Sequence, residues 1–193
     1  YYQGECYIFE KPTEVYRDSN FVPGKVLSAG PNVLVVNNKP RDKIMRLLDI
    51  ATKPFTCLRE INTNLSRVTD ICYMESLNTI VCLQSLPLVI KCMKVNDSFT
   101  IQQIIREPNS GKKTIPASIA VHSNEKCLYL ADKRSNNILR VPFENGTLVE
   151  NKAQTALRKC FPLLVRYSKR HGSLVVIDED KRVTWIPSDR HCM

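Results

Sequence analysis

The sequence is poor in the residues from which most catalytic and metal sites are built. Its 193 residues include 3 histidines, 6 glycines and 1 tryptophan. His122, His171 and His191 form no i, i+4 pair, so no helical metal motif is open to them. Scarce glycine leaves no phosphate-binding loop. Ser110-Gly111-Lys112-Lys113-Thr114 looks like the end of one, yet Arg106 stands where the earlier glycine is required. No G-x-S-x-G elbow occurs. No two of the cysteines form a C-x-x-C pair, which disfavours a zinc ribbon or finger. No apolar run approaches the roughly 20 residues that cross a bilayer. Leu86-Pro87-Leu88-Val89-Ile90 is short and stops at Lys91. The opening Tyr1-Tyr2-Gln3-Gly4-Glu5-Cys6 has neither the n-region nor the h-region of a signal peptide. No cofactor, no bound metal and no membrane insertion are expected.

What is present is an ordinary globular composition with a basic excess. Apolar residues make up 43% and charged residues 24%, which argues against disorder along the whole chain. The formal charge is +9. Most of it falls late: residues 151–193 hold 9 Lys and Arg against 4 Asp and Glu. A basic surface favours polyanions, whether RNA, DNA, acidic lipid heads or acidic proteins. Cys82 and Cys127 lie within or beside apolar runs and read as free thiols packed like small apolar side chains. Free thiols imply a reducing compartment and a cytoplasmic location. The three N-x-S/T sites at Asn64, Asn96 and Asn145 keep an extracellular alternative open.

The chain repeats. Ile115-Pro116-Ala117-Ser118-Ile119-Ala120-Val121 is followed by Cys127-Leu128-Tyr129-Leu130-Ala131-Asp132 and then by Asn137-Ile138-Leu139-Arg140-Val141. The same order of short apolar runs returns around 22–61, 68–105 and 162–187, beside 116–150. Ile44, Ile90, Ile138 and Val183 fall at matching places, and the second run always ends on a polar residue: Asn38, Gln84, Asp132, Asp178. Runs of about five residues bounded by turn residues are strands. Phe55–Ile61, Phe99–Ile105 and Thr147–Glu150 read as a fourth strand. Three or four strands per unit of about 46 residues is the period of a propeller blade. The fold class is therefore all-β: a β-propeller of four blade-like repeats in one domain spanning 1–193.

The residues Ile115-Pro116-x-x-Ile119-x-Val121, Leu128-Tyr129-Leu130-Ala131-Asp132 and Asn136-Asn137-Ile138-x-Arg140-Val141 resemble the NHL repeat. The usual glycine before the isoleucine is replaced by Ala117-Ser118. Tyr129-Leu130-Ala131-Asp132 is also similar to the extracellular YWTD propeller repeat, without its tryptophan. Both resemblances imply that Asp132 and Asp178 fix turns rather than catalyse. Lactonase propellers, related in fold, hold a metal at their axis; the inner-strand candidates here, Asp70 and Thr69, are expected to be polar lining of a water-filled channel. His122 and His171 are expected to be solvated turn residues. The chain begins without Met, and no outer strand follows Ile186-Pro187. The expectation is a piece of a larger ring. The alternative closes the last blade with Cys6-Tyr7-Ile8-Phe9, which brings Cys6 towards Cys192.

Antiparallel strands alternate direction, so second-to-third-strand turns and the links between blades share one face. On those segments lie Lys39, Arg41 and Lys43; Lys112 and Lys113; Lys133 and Arg134; Arg158 and Lys159; Lys181 and Arg182. Asp42, Glu179 and Asp180 dilute the charge. No ladder of aromatics for stacking bases can be read among them. The reading is a non-enzymatic, NHL-like protein-interaction scaffold whose basic loop face meets a protein partner. The alternatives are an RNA-binding propeller that uses the same loops, and an extracellular YWTD-type ligand-binding propeller.

Overall fold

The computed structural model describes residues 21–29, 32–37, 43–65, 67–85, 87–96, 99–106, 115–122, 124 and 126–187. They build four antiparallel sheets in chain order, the blades of a β-propeller. Blade 1 comprises β1 (Pro23–Ala29), β2 (Asn32–Asn37), β3 (Ile44–Asp49) and β4 (Thr56–Asn62). Blade 2 comprises β5 (Asp70–Met74), β6 (Thr79–Gln84), β7 (Val89–Lys94) and β8 (Ile101–Arg106). Blade 3 comprises β9 (Pro116–His122), β10 (Cys127–Asp132), β11 (Asn137–Glu144), β12 (Thr147–Leu148) and β13 (Gln154–Leu157). Blade 4 comprises β14 (Pro162–Ser168), β15 (Ser173–Asp178) and β16 (Val183–Pro187). In blades 1, 2 and 4 the strands pair in sequence order outward from β1, β5 and β14; in blade 3 they do so from β9 to β12, and β13 returns to pair with β11.

The repeat register reappears in the ladders. Ile90, Ile138 and Val183 pair with Leu83, Ala131 and Ile177, in each case the residue before the polar end of the second strand. The outer strand of blade 3 differs from the expected Thr147–Glu150. Only Thr147 and Leu148 pair there, with the far end of β11. A 3-10 turn at Glu150–Lys152 then swings the chain back, and Gln154–Leu157 pairs along Ile138–Arg140. Gln154-Thr155-Ala156-Leu157 was unreadable as a strand because an edge strand packs on one side only and needs little apolar content. Blade 4 has three strands among the described residues. The segment Cys6–Phe9, and Cys192, lie outside the described residues.

A strand in the middle of a blade has apolar neighbours on both sides, which explains why the second runs are continuously hydrophobic. All six residues of β6 are buried, and so are all six of β10. Alternation sends Ile80 and Cys82 towards blade 1, where they meet Met45 and Ile61. It sends Val81 and Leu83 towards blade 3, where they meet Ile119, Leu128 and Val141. On the far side of blade 3, Ala120, Tyr129 and Ile138 meet Val165, Leu174 and Val176 of blade 4. The cores of the fold are therefore the seams between blades.

The seams also hold the thiols. Cys72, Cys82, Cys92 and Cys127 are free and buried, while Cys57 and Cys160 are free and half-buried. Burial pushes the Cys82 and Cys92 thiols up to about 12, and raises Cys72 with help from the Asp70 carboxylate. In the unfolded chain such thiols ionise near 9. The folded state keeps its protons across that interval and the unfolded state sheds them, so stability is lost as pH rises through it. A thiol reagent should modify Cys57 and Cys160 ahead of the four buried cysteines, as read by peptide mass mapping. The urea midpoint should fall between about pH 9 and 11, less steeply in Cys82→Ala than in the parent chain. Modification of Cys82 as fast as Cys57 would contradict this account of the seams.

Candidate functional site

The inner strands β1, β5, β9 and β14 bring side chains together at the axis. They line a cavity of about 230 Å3 that includes Lys25, Asp70, Tyr73, Val121, Arg166 and Lys169. The Asp70 side chain is only 2% exposed. Its Oδ1 accepts from the backbone N–H of Ile71 at 3.1 Å and from Arg166 Nη2 at 3.0 Å. Its Oδ2 accepts from Ser118 Oγ at 2.7 Å, the Ile119 N–H at 3.0 Å and Arg166 Nη1 at 2.8 Å. One carboxylate thus joins the inner strands of three blades. Arg166 Nη1 also donates to the carbonyls of Val165 at 2.7 Å and Ile119 at 3.1 Å. Lys169, after β14, pairs with Glu75, after β5.

This corrects the expectation for Asp70 and Thr69. Asp70 does border the axial cavity, but as the buried half of an ion pair whose other half, Arg166, is the part left to solvent, while Thr69 is not among the cavity's walls. The Thr69 hydroxyl turns to the Leu83 carbonyl at 3.0 Å and to Ser85 Oγ at 3.0 Å. His122 is likewise buried, with its ring 4.0 Å from that of Tyr167, where a solvated turn residue was expected. It is the last residue of β9, so the strand carries it into the seam with blade 4. His171 is exposed and meets Trp185 edge-on at 5.5 Å. Among the described residues, no group of three His, Cys, Asp or Glu is placed to hold a metal.

The second constellation is on the loops between blades 3 and 4. Asp132 ends β10 and accepts from the N–H groups of Ile115 at 2.9 Å and Arg134 at 3.1 Å, and from Ser135 Oγ at 2.6 Å. Asp178 ends β15 and accepts from the Arg182 N–H at 2.8 Å. Both are turn-fixing carboxylates, and each sets a pair of cations at the tip of its turn: Lys133 and Arg134, Lys181 and Arg182. The link from β13 to β14 runs between the two turns. Its Cys160 N–H donates to the Asn136 carbonyl at 2.9 Å, and its Lys159 N–H to Asn137 Oδ1 at 3.2 Å. The Phe161 carbonyl accepts from the Glu179 N–H at 3.1 Å, and Lys133 Nζ lies 3.8 Å from Glu179.

Lys133, Arg134, Arg158, Lys159, Lys181 and Arg182 are all exposed on these three connected segments. Arg182 lies 3.5 Å from Asp180. Arg134, Arg158, Lys159 and Lys181 have no carboxylate partner among the described residues. Lys43 is exposed in the matching place on blade 1, where its carbonyl accepts from the Thr63 N–H at 2.7 Å. Lys39, Arg41, Lys112 and Lys113 lie outside the described residues.

Two features of this cluster escaped the sequence. Phe161 is 51% exposed on the link that carries Arg158 and Lys159, with its carbonyl tied to the turn that carries Lys181. The backbone is also strained there: Asn136, Lys159, Phe161 and Lys181 have φ of 56°, 55°, 41° and 62°. A left-handed conformation costs a side chain roughly 1–2 kcal/mol, and such strain gathers at binding sites when the surroundings hold it in place. Phe161-Pro162 opens an apolar run, and nothing in the run itself marks Phe161 for exposure.

No protein-family model matches the chain, and no curated protein sequence does. Solved structures do. The β-propeller domain of Cps50 (Swd1) from Myceliophteria thermophila matches with a TM-score of 0.61 at 8% identity, over 84% of this chain and 52% of that one. The computationally designed protein Ika4 matches with a TM-score of 0.59 at 13% identity, over 91% of this chain and 98% of that one. The dihydro-heme d1 dehydrogenase NirN matches with a TM-score of 0.59 at 14% identity, over 85% of this chain and 36% of that one. At such identities the likeness establishes the propeller fold. The chain spans about half the length of the Swd1 domain.

Removing Arg166 leaves the buried Asp70 carboxylate without its counter-charge, whereas the 43% exposed Arg166 keeps water when Asp70 is removed. Arg166→Met should cost about 3 kcal/mol in urea unfolding, with a smaller stranded-charge cost in Asp70→Ala. The double variant should cost clearly less than the sum, because the second change relieves the charge that the first has stranded. Additive losses would mean that the pair does not act as a unit.

Proposed function

We propose that the chain is a non-enzymatic, NHL-like binding propeller that presents the Lys133–Lys159–Lys181 loop face to an acidic protein surface. The observation that carries this reading is Phe161: a half-exposed aromatic on the link that carries Arg158 and Lys159, on a backbone held by three segments. An aromatic anchor ringed by polar residues is the usual anatomy of a binding hot spot. Four cations with no carboxylate partner among the described residues, Arg134, Arg158, Lys159 and Lys181, favour an acidic counterpart and steer its approach. Loops on a rigid scaffold are the usual place for binding residues.

The same cations suit RNA, and Phe161 gives that second reading a base-stacking surface. Binding of single strands stacks successive bases on several aromatics, and this patch offers one, which favours protein. Selection of a random peptide library on the immobilised chain distinguishes the two. Acidic peptides that contain an apolar residue should be enriched. Their affinity should fall at least about tenfold in Phe161→Ala and in Arg158→Glu/Lys159→Glu. Retention of a random RNA pool with a steep salt dependence, and no enriched peptide, would replace the protein reading by the RNA one. Binding of neither kind at low salt would end both.

A further inference from the structure

A cavity of about 590 Å3 opens where blade 1 meets blade 2, well within the size range of small-molecule pockets. Among its walls are Lys43, Leu65, Leu88, Lys91, Ile101 and Ile104. Lys91 is the unusual member. On β7 it stands opposite Cys82 of β6 and Ile104 of β8, so the ladder fixes it on the face turned towards blade 1. It is 1% exposed. Its ammonium donates to the Thr63 carbonyl, and among the described residues no carboxylate pairs with it. A carbonyl supplies a partial charge and one acceptor; an ammonium has three donors and a full charge. Burial accordingly lowers the Lys91 amine from the ordinary lysine value. A buried cation with no counter-charge is expensive unless something brings one.

The remaining walls indicate what that something resembles. Leu65 and Leu88 are buried and apolar. Ile101 and Ile104 are 44% and 45% exposed, although both belong to β8 and border the cavity. Lys43 adds a second, exposed cation. The pocket thus combines a sunken positive charge with an uncovered aliphatic wall. We propose that it binds a monocarboxylate with an apolar tail, the head meeting the Lys91 ammonium and Lys43, and the tail covering Ile101 and Ile104. The head would make charge-assisted hydrogen bonds, which are the stronger kind.

Octanoate is the probe and octanol its uncharged control. In amide NMR, octanoate should shift Lys91, Ile101 and Ile104 saturably, at an affinity at least about tenfold above that of octanol. Lys91→Met should lose octanoate binding at least tenfold while leaving octanol unchanged. Ile104→Glu sets a carboxylate on an exposed wall and should lose it as well, which keeps the test decisive where Lys91→Met fails to fold. Equal affinity for octanol, full binding by both variants, or no saturable shift in the millimolar range would each overturn the proposal.

Discussion

Asp70 is where the blades are locked to one another. Apolar burial drives them together, but it is non-directional: a seam lined by Val81, Leu83, Leu128 and Ile119 tolerates small slides with little loss. A buried carboxylate does not. Its two oxygens accept from Ile71, Ser118, Ile119 and Arg166, and these partners belong to β5, β9 and β14. Slippage of any one of the three strands would leave a buried charge short of hydrogen bonds, which costs more than a methylene contact. The apolar seams supply the bulk of the stability, and Asp70 selects one arrangement among those the seams allow.

That arrangement sets where the polar edges meet. With β5, β9 and β14 fixed at the axis, the turns at the ends of β10 and β15 are carried outward to fixed positions, and the link 158–161 spans the gap between them. Asp132 and Asp178 then use their carboxylates on backbone N–H groups and the Ser135 hydroxyl, so neither is the partner of the Lys and Arg side chains beside it. At the end of the arc, the face of blade 4 turned away from blade 3 carries Val175, Ile177, Val183 and Trp185 in cross-strand register. Trp185 is 54% exposed there, and no described strand covers it. The interior blades 2 and 3 are apolar on both sides and covered on both sides.

The parts of this architecture that were legible in the sequence are those governed by period. The spacing of Ile90, Ile138 and Val183 predicted the ladder register, because equivalent positions in a repeat meet equivalent partners. Asp132 and Asp178, which close two of the second runs, were legible as turn carboxylates from the resemblance of the repeats. Features that depend on contacts between blades were not. Arg166 breaks the run Leu163-Leu164-Val165, and Asp70 precedes Ile71-Cys72, but only the ring brings residues 96 positions apart to 2.8 Å. Lys91 sits in Val89-Ile90-Lys91-Cys92-Met93, and nothing in that run marks a lysine for burial. It is buried because β7 has β8 outside it and blade 1 beside it. Phe161 differs in the opposite sense: an aromatic at the head of an apolar run is 51% exposed, on the link just before β14.

The two candidate sites occupy equivalent places in the ring. The basic cluster lies where the β10–β11 and β15–β16 turns meet the link between blades 3 and 4. The Lys91 pocket lies where the β6–β7 turn and Lys43 meet the link between blades 1 and 2. A link has to leave an outer strand, cross a seam and enter an inner strand, so its backbone groups have no ladder to join. They are satisfied by neighbours instead: the Thr63 carbonyl by Lys91, the Cys160 and Lys159 N–H groups by Asn136 and Asn137. Such a place is anchored, polar and incompletely packed at once. At the junction of blades 3 and 4 the gap is filled and pushes Phe161 and the cations outward, as suits a macromolecular surface. At the junction of blades 1 and 2 it stays open and leaves a cation inside, as suits a small anionic ligand.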